Sequence, residues 1–396
     1  MANNLLTISK ITNEALMVLE NELTFTSECD RNYDDQFAVV GGKIGNTVNV
    51  RKPGRFIGTT GPALNVEDFN ETSVPVTLST QFHVDTQFTT QDLALSLDMF
   101  SDRVLKPAVA AIANKIDRDG LSTAALNTYN IVGTAGTPPT GLITYLTGAA
   151  YLDSEGAPRD GRRSMIVEPF TSATIVDSLK GLFVPQEAIG EQYRKGLMGR
   201  DSGGMNWKLD QNVVSQTFGS WSANTIAITL ASTSSAGVLT SGWASSSNVT
   251  LTASTASTLN AGDVFTIPGV YAVNPQNRQS YGKLRNFVVN STTTVATTGT
   301  TVNISPAIIV SGQFQNVQVT SYNSPNITAF NNTGVTSPQN IMMHRNAYTL
   351  AVADLELPDG VHFAGRASDK EVGLSMRVVR QYTINVANDS SFALVA

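Results

Sequence analysis

The chain has 396 residues, 41 % of them hydrophobic and 15 % charged, with 32 Asp and Glu against 26 Lys and Arg, a formal net charge of −6. That length accommodates two or three packed domains, and the acidic balance points away from a protein built to grip nucleic acid. One cysteine, Cys29, excludes an intrachain disulfide and a multi-cysteine metal site, and His83, His344 and His362 lack ligand spacing.

No apolar run of about 18 residues is present, so no transmembrane helix is expected. Met1 to Lys10 carries no basic cluster followed by an apolar stretch, so no secretory signal is expected either. Ser9 to Leu23 places Ile11, Ala15, Leu16, Leu19 and Leu23 on one helical face. Thr47 to Val50 and Val74 to Leu78 read as short strands. Between them, Pro53 to Asn70 is rich in Gly, Pro and Thr and reads as a long two-stranded loop arm. His83 falls in an alternating segment, as a strand residue. From Thr89, apolar residues recur at Leu93, Leu97, Phe100, Val104, Ala108, Ala111 and Ile112, which predicts a helix to about Thr123, kinked at Pro107. A second helix is predicted over Thr171 to Leu182, and strands over His344 to Val352 and Leu374 to Tyr382.

The composition changes abruptly between the two halves. Residues 212–335 hold only four charged residues, Asp263, Arg278, Lys283 and Arg285, together with 38 Ser and Thr. Asn224 to Leu230, Asn248 to Thr252 and Thr301 to Ser305 alternate apolar with small polar residues, the period-2 mark of half-buried strands. Val264 to Ile267 and Phe287 to Val289 read as core strands, which a disordered Ser/Thr linker would lack. The segment is therefore expected to be a separate all-β module, sandwich or barrel, inserted into an α+β host.

No phosphate-binding glycine loop, paired-histidine zinc motif or nucleophile elbow occurs. Cys29 lies between Glu28 and Asp30, whose charges oppose thiolate formation. Asp117-Arg-Asp-Gly120 faintly matches part of a calcium loop but lacks the closing glutamate, and reads as a plain helix end. With no convergent acid, base and nucleophile, no enzyme activity and no cofactor are expected. Charge placement is more informative. Residues 1–36 carry a balance of −5, and Lys43 to Arg55 a balance of +4 from Lys43, Arg51, Lys52 and Arg55. An extended arm buries little apolar surface by itself, so its order must come from another surface, its own domain or a neighbouring subunit. A solvated hairpin with accidental charge is the equal alternative from charge alone.

The order of parts, with certain short stretches, resembles the major capsid proteins of tailed double-stranded DNA phages, the Hong Kong 97-type fold. The closer likeness is to the coat family of short-tailed phages with an inserted β-barrel domain. The stretches are Val184-Pro-Gln-Glu-Ala-Ile-Gly-Glu-Gln-Tyr193, Gly196-Leu-Met-Gly199, Ala261-Gly-Asp-Val-Phe-Thr-Ile-Pro-Gly-Val270, Asn274-Pro-Gln-Asn-Arg-Gln279, Arg345-Asn-Ala-Tyr348 and Gly373-Leu-Ser-Met-Arg-Val-Val379.

The resemblance implies an N-arm over residues 1–36, an E-loop over 37–80 and a peripheral domain with the spine helix over 81–129. The axial domain would combine 130–211 with 336–396, and the insert would span 212–335 on the outer face. It implies a shell protein that assembles with itself as pentamers and hexamers, with a scaffolding protein and a portal, in the host cytoplasm. The finished virion would enclose double-stranded DNA without reading its sequence, and no membrane would be involved. On this likeness Arg51, Lys52 and Arg55 would dock on an acidic surface of the adjacent subunit. Glu14, Glu20 and Glu22 would face a basic scaffolding protein. Asp263, Arg278, Lys283 and Arg285 are the only insert residues able to make charged contacts between subunits. The competing readings are a bacterial nanocompartment shell and a β-rich tail or adhesin protein.

Overall fold

A computed structural model describes residues 23–31, 47–52, 54–64, 66, 73–88, 106–178, 203–221, 225–229, 246–319, 326–330, 333–352, 357–361, 363–368, 375–382 and 390–395. The chain divides into two units. One comprises Met1–Pro53, Glu71–Gly120 and Arg345–Ala396, the other Gly54–Asn70 and Leu121–His344. The predicted N-terminal helix, apart from Leu23, and the predicted helix over Thr89 to Leu105 lie outside the described residues.

The first unit opens with a short 3-10 turn, Thr26–Glu28. Strands β1 (Thr47–Arg51) and β2 (Ser73–Thr77) then pair antiparallel, with Thr47 opposite Thr77 and Arg51 opposite Ser73. β3 (His83–Phe88) follows, with His83 exposed at its start. Helix α1 runs Lys106–Asn127 and extends past the predicted end. Its buried residues form two rows at intervals of four: Ala108, Ile112 and Ala124 in one, Val109, Ala113, Asp117 and Leu121 in the other. Two adjacent i, i+4 rows are the stripe that packs a helix onto a core. The acid at Asp117 breaks the apolar run, and Asp119 pairs with Lys115 at 2.7 Å on the outer side.

The second unit holds two apolar cores. In the first, α2 (Leu142–Ser154) and α3 (Pro169–Ser178) flank β4 (Arg163–Val167), whose five residues are all buried. β4 pairs parallel with β5 (Asn206–Leu209). This core contains Tyr145, Met165, Val167, Ile175, Met205 and Trp207. A strand buried along its whole length reads as a continuous apolar run, without alternation.

The second core belongs to the Ser/Thr-rich segment. In chain order its strands are β6 (Ser215–Thr217), β7 (Ile226–Thr229), β8 (Ser246–Ala253), β9 (Ser257–Leu259), β10 (Val264–Val273) and β11 (Ser280–Val289). β12 (Thr293–Val295), β13 (Thr300–Ile308), β14 (Val317–Val319), β15 (Thr328–Ala329) and β16 (Thr336–Pro338) complete it. A seven-stranded sheet runs β14-β10-β11-β13-β8-β7, with β15 also on β10, and its pairings are antiparallel. Trp221, Ile228, Leu251, Phe265, Phe287 and Ile304 lie in its core. Phe265 meets Trp221 edge-on at 6.3 Å. β6 pairs with β16, so the two ends of the segment lie side by side. Gly219 is required here, because a Cβ would stand 2.3 Å from the Thr258 carbonyl oxygen.

β17 (Ile341–His344) then adds to β4, with Ile341 opposite Ile166. The strand predicted over His344 to Val352 is therefore displaced toward the N-terminus. Arg345–Ala347 forms a 3-10 turn instead, and the apolar Ile341-Met-Met run supplies the strand. In the first unit, β18 (Phe363–Ser368), β19 (Ser375–Tyr382) and β20 (Ser390–Val395) form an antiparallel sheet in the order β18-β19-β20-β3. β19 matches the predicted C-terminal strand within a residue. The helix predicted over Thr171 to Leu182 is α3, set two residues earlier, and its predicted last residues lie outside the description.

Candidate functional site

The residues between the β1–β2 root strands carry chemistry suited to contact. Among the described residues, Gly54 to Leu64 and Val66 form no strand, and the two-stranded arm expected over Pro53 to Asn70 is seen as the flanking β1–β2 pair. Left-handed backbone at Gly58 (φ 69°) and Gly61 (φ 136°) breaks the pleat there. Four apolar side chains in this stretch face solvent: Phe56 is 62 % exposed, Ile57 51 %, Leu64 99 % and Val66 90 %. Burying each against a neighbour would contribute about 1.5–3 kcal/mol. Arg51, Lys52 and Arg55 are exposed in the same stretch of sequence. The arm thus combines an apolar run with a cationic approach. The apolar residues were visible in the sequence but carry no periodicity, so pattern reading passes over them.

Glu14, Glu20 and Glu22 lie outside the described residues. The four charges of the Ser/Thr-rich segment each meet groups of the same chain. Asp263 is buried, and its carboxylate accepts from the Gly219 N–H at 3.2 Å, the Trp221 indole N–H at 2.8 Å and the Asn260 N–H at 2.8 Å. Burial raises its pKa above the ordinary carboxylate value, against the lowering effect of those donors. Arg285 is buried and pairs with Glu155 at 2.5 Å, its guanidinium 4.8 Å from the Tyr129 ring centroid. Asp263 and Arg285 are thus both buried in the lone chain and engaged with groups of their own chain. Lys283 lies over the Tyr151 ring at 5.6 Å. Arg278 occupies a left-handed position (φ 59°) in a turn organised by the Asn274 side chain, which accepts from the Gln276 N–H. Its guanidinium donates to the Phe56 carbonyl at 3.0 Å and the Gln313 carbonyl at 3.3 Å, tying the start of the apolar arm stretch to the β-rich sheet.

In the first unit, Asp117 accepts from the Thr24 N–H at 2.7 Å, the Thr26 N–H at 3.1 Å and the Thr26 hydroxyl at 2.9 Å. It thereby clamps the segment that leads out of the acidic N-terminal region. Asp30 donates its N–H to the Tyr348 carbonyl and accepts from the Leu350 N–H, which fixes the same segment from its other side. The aspartate in the faint calcium-loop match thus has a structural partner set, and the helix does not end there. Among the described residues no three His, Cys, Asp or Glu side chains form a metal-holding group. Cys29 is buried, donates to the Phe25 carbonyl at 3.5 Å, and burial pushes its thiol pKa up to about 12. A nucleophile needs the reverse.

No curated protein matches the sequence. Among solved structures, a chain from Mycobacterium phage Che8 is 12 % identical, with 78 % of this chain and 90 % of that one covered and a TM-score of 0.39. The asymmetric unit of the bacteriophage PhiM1 mature capsid gives 12 % identity, 72 % and 82 % coverage and a TM-score of 0.35. A virus-like particle from Pyrococcus furiosus gives 9 % identity, 75 % and 93 % coverage and a TM-score of 0.29. The family described as "P22 coat protein - gene protein 5" matches residues 1–392. With nearly its whole length inside that match, the chain belongs to the P22 coat protein family and is a major capsid protein, a subunit that forms the phage shell.

Proposed function

We propose that the chain builds an icosahedral shell of pentamers and hexamers by laying its projecting arm, Gly54 to Val66, over a second copy of itself. The observation that carries this reading is the exposure of Phe56, Ile57, Leu64 and Val66. Single exposed apolar residues are ordinary, but four within eleven residues of one segment call for a cover. A coat subunit meets many copies of itself, so a sister subunit is the natural cover. Arg51, Lys52 and Arg55 would steer that encounter toward an acidic surface.

In this reading the fold is of the Hong Kong 97 type, with the N-arm, E-loop, peripheral and axial parts at the limits given above. Residues 212–335 are the inserted β domain on the outer face. The pairing of β6 with β16 supports an insertion, because it lets a module enter and leave its host at one place. Glu14, Glu20 and Glu22 would face inward toward a basic scaffolding protein, and their sign would also repel packaged DNA. The portal is the other assembly partner. The work is self-association rather than catalysis, and the destination is the virion.

Expression of the chain, with electron microscopy of the product, tests this reading. Closed shells are expected, and Arg51→Glu with Arg55→Glu should leave folded subunits that do not close. Shells that form unchanged from that double variant would remove the electrostatic role of the arm. Reversing Glu14, Glu20 and Glu22 should abolish correct-size particles, and unaltered particles would remove the scaffold-facing role. Shells found to hold a packaged enzyme instead of double-stranded DNA would favour the nanocompartment.

A further inference from the structure

Among the described residues the two apolar cores of the second unit are separate clusters. The core of the β-rich segment is drawn from residues between Trp221 and Ile327, and that of its host from residues between Tyr145 and Trp207. What joins them is polar. The odd-numbered residues of β11 reach the C-terminal end of α2. The Tyr281 hydroxyl donates to the Ser154 carbonyl at 2.5 Å, the Lys283 ammonium lies over Tyr151, and Arg285 pairs with Glu155. Alternate residues of a strand share a face, and both cations meet the negative end of the helix dipole. Two of the four charges in the whole 212–335 segment are concentrated here.

The join also borders a part-open cavity of about 250 Å³ lined by polar and apolar side chains, among them Tyr151, Glu155, Ala272, Lys283, Leu284 and Arg285. The buried Arg285 Nε and Asn286 Nδ2 have no protein partner. An ion-paired join is a poor source of net stability, since well-packed apolar residues often serve as well. Its geometry, however, is specific. The Arg285 guanidinium is held between one carboxylate and one ring face.

We infer that Arg285 is a positioning residue that sets the orientation of the β-rich module on the end of α2. The extension to shell geometry rests on the coat function above: the module's orientation fixes which neighbouring capsomer it meets.

The test uses the full-length chain, unassembled, with spin labels at Ile143→Cys and Thr297→Cys in a Cys29→Ser background. Both label sites are exposed, one on α2 and one on the β-rich module. The parent should give one narrow distance distribution. Arg285→Met, which keeps the apolar stem, and Glu155→Gln should each broaden it, with hydrogen-exchange protection of β10 and β13 unchanged. Two results would overturn the inference: an unchanged distribution in both variants, or broadening together with lost protection in those strands, which marks a folding defect. Because these readouts are made before assembly, they stand apart from whether the chain forms shells. In assembled material, Glu155→Gln should yield an excess of aberrant particles over closed shells.

Discussion

Asp117 and Thr26 are ninety-one residues apart in sequence, yet one carboxylate oxygen of Asp117 accepts from both the backbone N–H and the hydroxyl of Thr26. The acid occupies a position in the apolar stripe of α1, between Ala113 and Leu121. A buried carboxylate is tolerated there because three donors satisfy it. Asp117→Asn replaces an acceptor oxygen by a donor nitrogen facing N–H groups. It should destabilise the chain by about 1–3 kcal/mol, read as a lower urea midpoint. The same junction has no spare volume, since a Cβ on Gly120 would lie 2.6 Å from the Phe25 ring. Gly120→Ala should therefore cost about 1–3 kcal/mol by overpacking, and the cost should shrink in a Phe25→Leu background. Equal costs in both backgrounds would show that the contact is not the cause.

Asp263 anchors the start of the β-rich module. Its removal in Asp263→Ala leaves the Gly219 N–H, the Asn260 N–H and the Trp221 indole N–H without their acceptor. Each unpaired buried donor costs about 1–3 kcal/mol. The variant should show early exposure of Trp221 in thermal unfolding, before the first unit loses structure. A module that melts at the parent temperature would show that this carboxylate is replaceable.

Acid should loosen the second unit at a definite place, where α2 meets β4. Hydrogen bonds from Arg159, and then from Arg163, hold the Asp153 carboxyl at about 2, against an ordinary 3.8. Arg163 is buried and pairs with Asp153 at 2.8 Å. A carboxylate with a lowered folded-state value contributes stability that is full above its ordinary value and is lost as pH falls through the lowered one. The window is therefore pH 4 down to 2, and solvent screening limits the contribution to on the order of 1 kcal/mol. Asp153→Asn should be less stable than the parent at pH 7 and match it near pH 2. A constant difference across that range would contradict the assignment.

Much of the β-rich segment was legible because its strands are half-buried. In three runs isoleucine, valine and leucine alternate with small polar residues, and the structure places β7, β8 and β13 over them, with β10 and β11 over the two runs read as core strands. β4 escaped the same reading because Met165, Ile166 and Val167 are all buried, so no alternation exists to find. The sequence also exposed the scarcity of charge in residues 212–335, but not where those charges go. Glu155 and Tyr129, which receive Arg285, lie more than a hundred residues upstream, and only the tertiary fold brings them to it. Asp117 could have been found from its i, i+4 position among Val109, Ala113 and Leu121. Its match to a fragment of a metal loop drew attention instead to Asp119 and Gly120.

Sedimentation velocity with negative-stain imaging, comparing the parent chain with Phe56→Ser, Leu64→Ser and Val66→Ser combined, weighs most directly on the role given to the arm. These side chains face solvent in the lone subunit, so the variant should keep the parent's unfolding midpoint. The parent should sediment as closed shells and the variant as folded single subunits. Shells of parental size from the variant, or a parent that stays a single subunit at high concentration, would contradict the account.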